Sequence, residues 1–344
     1  MKILIIGELS EAVLEKLRSF GEITVSLPEA DRDLSAAEVI ALLEKNKSEV
    51  IVVDATPLGA DILRMAPSLK MVVCTRGNPV NVDARYCSEH GIILTNTPGR
   101  NANAVAEFVL AMMINLLRNI PQALRRLDSG ELCLKGDVRT AIAAGKNTRD
   151  IIWRNDKLPV IPYFDFMGSE IFGKDLGLVG LGAVGKLVAE KALVLGMQVK
   201  AYDPYYKGPL LPGLELAELD DIASQADIIS LHAKDTPETQ GMIGKSFFKR
   251  LKPGSYLINT ARGRLVDRDA LLEALDSGIV AGAALDVFDY EPLCRDDPLL
   301  HHPKIICTPH IGGASRDVVL QHSIMAFESI KAYDEGAGEI PNHK

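Results

Sequence analysis

Short apolar runs bounded by turn residues alternate with helical stretches along most of the chain, the pattern of parallel sheets covered by helices. In the first half, Lys2 to Ile6, Ile23 to Leu27, Val50 to Val53, Met71 to Cys74 and Ile92 to Thr95 read as strands. Helical segments near Ser10 to Phe20, Ser35 to Lys47, Ala60 to Met65 and Asp83 to His90 fall between them, giving one α/β unit. A longer helix is predicted from about Asn101 to Asn119, opening after Pro98-Gly99 and stopping at Pro121, where it links two domains. Residues 128 to 173 break the rhythm with Gly130, Gly136, Gly145, Trp153, Pro159 and Pro162, and no element is assigned there. The rhythm then returns with strands at Leu176 to Val179, Gln198 to Tyr202, Ile228 to Leu231, Tyr256 to Asn259, Gly282 to Asp286 and Ile305 to Thr308. These predict a second sheet of about six strands. The stretch Asp317 to Asp334 is an amphipathic helix expected to pack back on the first unit.

Composition narrows the function classes. A chain of 344 residues with 47% hydrophobic and 24% charged residues has material for two globular cores. The net charge of -8 argues against nucleic acid, whose binding draws on Lys and Arg neutralising phosphates. The apolar run from Met1 to Ile6 is too short for a signal peptide and reads as a buried strand, while Val105 to Leu117, interrupted by Glu107 and Asn115, is too short for a membrane span. Cys74, Cys87, Cys133, Cys294 and Cys307 form an odd set without zinc-like spacing, so reduced thiols, a cytoplasmic location and no metal site are expected.

The most specific motif is Gly180-Leu181-Gly182-Ala183-Val184-Gly185, which follows a predicted strand and opens a predicted helix. In a dinucleotide loop the first glycine allows a tight turn and the second lets backbone approach a pyrophosphate. The third permits close helix-strand packing. Main-chain amides of Ala183, Val184 and their neighbours at the helix N-terminus then hold the phosphates. Asp203, in Asp203-Pro204, ends the next strand near the spacing of an acid that binds the ribose 2'-OH and repels a 2'-phosphate, so the expected cofactor is NAD.

Open parallel sheets take ligands outside the carboxyl ends of their strands. Arg262, Glu291 and His310 each follow such an end. Together they can oxidise a hydroxy acid: His310 takes the hydroxyl proton, and Glu291 orients the ring and favours its imidazolium form. Arg262 grips the substrate carboxylate in a bidentate pair. His232 also follows a strand end, and either lines the cofactor site or is structural. His301 and His302 read as solvated loop residues.

These residues resemble the D-isomer-specific 2-hydroxyacid dehydrogenase family, which includes phosphoglycerate, glycerate and D-lactate dehydrogenases. The likeness rests on Gly180 to Gly185 with Asp203, on Asn259-Thr260-Ala261-Arg262-Gly263, on Asp286-Val287-Phe288-Asp289-Tyr290-Glu291-Pro292 and on Thr308-Pro309-His310-Ile311-Gly312-Gly313. It implies that Arg262, Glu291 and His310 are catalytic and that Asp286 and the Ala261 backbone contact the nicotinamide side of NAD. Pro204, Thr260 and Gly312 are placed at the cofactor by the same likeness. The implied fold is α/β: a Rossmann-type doubly wound sheet over 100–314 and a discontinuous flavodoxin-like substrate domain over 1–99 and 315–344. A closing cleft, the D configuration and a homodimer are also implied.

Two departures stand out. Where many relatives carry a G-x-G-x-D substrate loop, this chain reads Cys74-Thr75-Arg76-Gly77-Asn78-Pro79-Val80-Asn81-Val82-Asp83. Amides around Gly77 and Asn78 still suit a carboxylate, and Arg76 either adds charge for a phosphate or second carboxylate or is a structural ion-pair partner. The stretch 128–173 is longer than the usual connection and reads as an atypical insertion. The competing function is a non-catalytic NAD-binding scaffold like the co-repressors of this fold, against which the acidic composition and lack of tails favour an enzyme. Formate dehydrogenase chemistry is disfavoured by Glu291 where that site uses Gln.

Overall fold

The computed structural model describes residues 1–28, 32–137, 139, 153 and 158–337. The chain divides into two compact units, Met1–Ala104 with Gly313–Lys344, and Val105–Gly312. The first is built on five parallel strands: β1 (Lys2–Ile6), β2 (Glu22–Ser26), β3 (Val50–Val53), β4 (Met71–Cys74) and β5 (Ile93–Asn96). Their order is β2-β1-β3-β4-β5, the flavodoxin-like arrangement. β3 and β4 are fully buried because helices cover both faces, which is why these strands are unbroken apolar runs rather than alternating ones.

Alternate residues sort between the two faces. Ile3 and Ile5 of β1 join Val13, Leu17, Ala326 and Ile330 from the helices Glu11–Leu17 and Arg316–Asp334. Leu4 and Ile6 join Val39, Leu43, Ile62 and Leu63 from the helices Ala36–Asn46 and Ala60–Leu63. The C-terminal helix thus completes this unit as its amphipathic pattern predicts, and Ser10 N donates to Ser323 Oγ at 2.8 Å.

The second unit carries β6 (Asp175–Val179), β7 (Gln198–Tyr202), β8 (Leu214–Leu216), β9 (Ile228–Leu231), β10 (Ser255–Asn259), β11 (Val280–Leu285) and β12 (Ile305–Cys307). All are parallel, in the order β12-β11-β10-β9-β6-β7-β8. This is the doubly wound Rossmann order with one further strand beyond its sixth, and the order reverses between β6 and β9. Seven strands replace the expected six or so. β8 escapes the pattern because it is a three-residue edge strand with only Leu214 buried.

The long helix also differs from expectation: it spans Ala102–Leu117, and Pro121 opens a second helix, Ile120–Asp128, instead of ending the first. A proline in the first helical turn removes no hydrogen bond, since those amides lack intrahelical acceptors. Asn119, at φ 53°, makes the turn between the two. Among the described residues no single helix is long and apolar enough to cross a membrane. Residues 138, 140–152 and 154–157 of the 128–173 stretch lie outside the described residues.

Candidate active site

The glycine loop follows β6 at the point where the sheet order reverses. Gly180 has φ 100°, and a Cβ there would lie 2.7 Å from the backbone of His232 and Ala233. A Cβ on Gly185 would lie 2.3 Å from the Gly180 carbonyl oxygen. These two glycines are therefore required by packing. Gly182 differs, since a Cβ on it would meet nothing within 4 Å. It stands at the N-cap of the helix Ala183–Val194 without a side-chain cap, leaving open space over unpaired helix amides.

Asp203 is bonded into this loop. Its Oδ2 accepts from Leu181 N at 2.8 Å and its Oδ1 from Tyr205 N at 3.0 Å. A carboxylate has about four acceptor positions, so each oxygen retains one for a further donor. Pro204 is exposed in the turn that follows. Thr260, after β10, has a buried Oγ1 with no hydrogen-bond partner. Open amides, a half-used carboxylate and an orphaned hydroxyl along one sheet edge fit a dinucleotide.

His232 follows β9 and lies beneath the loop. Its Nε2 is 3.0 Å from Ser230 Oγ, and burial pushes its imidazole down to about 4. It is neutral at physiological pH, a half-buried support for the glycine turn.

Beyond β10, Asn259 builds the turn that presents Arg262: its Nδ2 donates to the Arg262 carbonyl at 2.8 Å and its Oδ1 accepts from Ala261 N at 3.0 Å. The Arg262 guanidinium is exposed, bonds the Ala261 carbonyl at 2.6 Å, and has no ion-pair partner among the described residues. Gly263 lies so close to the next loop that a Cβ would sit 2.1 Å from the Phe288 carbonyl carbon, which sets the Arg262 turn against the loop bearing Glu291.

Glu291 and His310, after β11 and β12, meet directly. His310 Nδ1 lies 2.7 Å from Glu291 Oε2, while Glu291 Oε1 accepts from Phe288 N at 3.0 Å. Desolvation acts to raise the Glu291 carboxyl, but the bonds from His310 and Phe288, with the charges of His310 and Arg262, outweigh it and leave the pKa below the ordinary value. His310 itself is in the left-handed region at φ 55°, a conformation that costs a non-glycine residue about 1 to 2 kcal/mol.

Asp286 offsets that cost. This 2% exposed residue accepts from Thr308 Oγ1 at 2.7 Å and Ile311 N at 2.9 Å on Oδ1, and from Gly312 N at 2.7 Å on Oδ2. It thereby clamps both sides of His310. A cavity of about 430 Å³ adjoins the pair, walled by Phe288, Leu293, Leu300 and Cys307 among others. Burial pushes the Cys307 thiol up to about 11, so this wall is uncharged.

In the other unit, Arg76, Gly77 and Asn78 follow β4. The Arg76 carbonyl accepts from Thr97 N at 2.9 Å and the Gly77 carbonyl from Asn96 Nδ2 at 2.8 Å, which ties the turn to the end of β5. The Gly77 and Asn78 amides donate to no group among the described residues.

Asn259, Gly263 and Thr308 carry no chemistry that marks them in the sequence, although all three stand inside its motifs. Their signal was proximity to Arg262 and His310, and their function is to shape turns, which composition does not reveal.

Comparison with known proteins matches residues 110–312 to the family described as D-isomer specific 2-hydroxyacid dehydrogenase, NAD binding domain. The chain is 33% identical over 333 residues to D-3-phosphoglycerate dehydrogenase of Archaeoglobus fulgidus, covering 96% of this chain and 56% of that protein. It spans about half the length of the curated relatives it matches. A solved structure from Thermus thermophilus is similar with a TM-score of 0.76 and 31% identity, covering 99% of each chain. A D-isomer specific 2-hydroxyacid dehydrogenase from Lactobacillus delbrueckii ssp. bulgaricus, solved in its NAD complexed form, shares the fold at a TM-score of 0.76 and 24% identity over 98% of each chain.

Proposed function

Because the chain belongs to the D-isomer specific 2-hydroxyacid dehydrogenase family, we propose that it transfers hydride between NAD and a D-2-hydroxy acid/2-oxo acid pair. The proposed substrate is of the 3-phosphoglycerate or the glycerate and hydroxypyruvate type, the former in line with the names of the relatives. The observation that supports this reading most is the 2.7 Å bond between His310 and Glu291 on the same sheet edge as the glycine loop.

Bound NAD would accept the hydride leaving C2 of the hydroxy acid. Gly180, Gly182 and Gly185 would seat its pyrophosphate against the amides of Ala183 and Val184, and Asp203 its ribose. Thr260, Ala261, Asp286 and Gly312 would line its nicotinamide side. Because Glu291 stays ionised, the proton between it and His310 sits on Nδ1. The lone pair on Nε2 is then free to take the substrate hydroxyl proton. Glu291 balances the imidazolium so formed, and Arg262, with unspent donors and no internal acid, holds the substrate carboxylate. Arg76, Gly77 and Asn78 are proposed as further substrate contacts.

A homodimer is proposed from the helix Ile120–Asp128, which buries none of its residues and exposes Ile120, Leu124 and Leu127 on one face. Light scattering in solution tests this. A cytoplasmic setting is proposed from the free cysteines. A panel of 2-oxo acids, phosphorylated and not, assayed by NADH absorbance, tests the function. Stoichiometric NADH consumption with one of them is expected. NADH binding without any turnover would instead favour the non-catalytic scaffold.

A further inference from the structure

The cavity of about 430 Å³ beside Glu291 and His310 lies wholly within the second unit, and most of its wall has no part in the chemistry proposed above. Phe288, Pro292 and Leu293 reach it from the loop after β11, Leu300 from the short helix Pro298–His301, and Cys307 and Pro309 from the end of β12. Small-molecule pockets have this size, about 300 to 1,000 Å³, and this make-up, an apolar wall with a few polar groups that fix orientation. Leu300 leaves 42% of its surface exposed, apolar area that a ligand in the cavity takes out of water.

The few polar groups on the wall specify the ligand. The Cys307 thiol faces the Leu299 carbonyl at 3.5 Å, and burial pushes its pKa up to about 11, so it is neutral. The Thr308 hydroxyl donates to Asp286 Oδ1 at 2.7 Å, which spends its one proton. Glu291 has capacity left: Oε2 accepts from His310 Nδ1 at 2.7 Å and Oε1 from Phe288 N at 3.0 Å, so each oxygen retains an acceptor position. With the shared proton on Nδ1, His310 Nε2 offers a further lone pair. The side chains of the cavity thus present unspent acceptors and no unspent donor.

An anion finds no donor on such a wall and meets the Glu291 carboxylate, which sets this occupant apart from the hydroxy acid and from the cofactor phosphates. A cation meets the charge of Arg262, which already acts on Glu291. The complementary ligand is therefore uncharged, mostly apolar and equipped with one hydrogen-bond donor.

We propose that this cavity is a binding site for a neutral aromatic molecule carrying one N–H or O–H donor, of the indole or phenol class, with its ring against Phe288, Leu293 and Leu300 and its donor on Glu291. The bond draws on the carboxylate that balances a proton on His310, so the ligand lowers the proton affinity of the imidazole and slows oxidation of the hydroxy acid. That effect rests on the reaction proposed above, whereas binding does not.

Indole and 1-methylindole, which lacks the donor, titrated into the full chain by calorimetry test the site. Saturable binding of indole to the wild type is expected, weakened about tenfold or more in Leu300→Glu, which sets a charge on the apolar wall. 1-Methylindole should bind about tenfold more weakly than indole. Binding absent from the wild type, or equal in the wild type and Leu300→Glu, overturns the site, and equal affinities for the two indoles overturn the bond to Glu291. If Leu300→Glu does not fold by circular dichroism, labelling of the wild-type cysteines by N-ethylmaleimide, read by peptide mass spectrometry, decides. Indole should slow labelling at Cys307 and leave the exposed Cys133 unaffected, and an unchanged rate at Cys307 overturns the site. Neither readout needs turnover, so a silent substrate panel would sink the proposed reaction without touching this result.

Discussion

The Asp286 carboxylate accepts the backbone amide of Gly312 at 2.7 Å and that of Ile311 at 2.9 Å, and so holds the two residues that follow His310. The acid is buried while the histidine is exposed, a division in which one residue sets geometry and the other meets solvent. Asp286→Asn keeps the volume but turns an amide donor towards backbone donors. The expected outcome is a folded protein whose kcat/KM is about a hundredfold lower, the scale of a misplaced catalytic group. Steady-state kinetics within twofold of wild type would remove Asp286 from the catalytic geometry.

Glu291 predicts a loss of rate. Its carboxyl is held below the ordinary range, so it carries the charge that would balance a proton taken up by its partner His310. Glu291→Gln removes that charge, and kcat of the proposed reaction should fall by about 10 to 100 fold. An unchanged kcat in the variant would mean that the pair seen at 2.7 Å does not operate during turnover.

Asp203 is expected to select the cofactor. With both oxygens already anchored by backbone donors, its charge is fixed beside the glycine loop, where the proposed cofactor would present a 2'-phosphate. If the proposed activity holds, the wild-type protein should use NADH with higher catalytic efficiency than NADPH, and Asp203→Ala should narrow that preference by about tenfold or more. Equal efficiencies for the two cofactors in the wild type would overturn this expectation.

His232 links stability to pH. Its folded pKa of about 4 lies below the ordinary 6.5. The unfolded chain therefore takes up the proton first as pH falls, and stability present above the unfolded pKa is lost on descending towards the folded one. Between about pH 7 and about pH 5 this contributes a loss of about 2 kcal/mol. His232→Gln should flatten that part of the profile in chemical denaturation, and an identical slope in variant and wild type would count against a buried neutral imidazole.

The chain's own pattern determined the two α/β units, because buried parallel strands must be unbroken apolar runs and the helices between them must be one-sided. It also determined the glycine loop, since Gly180 and Gly185 sit where any Cβ would strike backbone. Arg262, Glu291 and His310 were legible as polar residues just past strand ends. Only the tertiary structure decided that Glu291 and His310 touch, because residues 19 positions apart are joined by the register of β11 and β12. The clamp at Asp286 depends on the same register, whereas the turn built by Asn259 is local, its partners lying two and three positions on. The short β8 and the helix opened by Pro121 escaped the pattern, as edge strands and helix starts carry too few apolar positions to show a period. Arg100 and His322, 222 positions apart, become neighbours only when the C-terminal helix packs on the first sheet, a contact set by burial of Ala326 and Ile330.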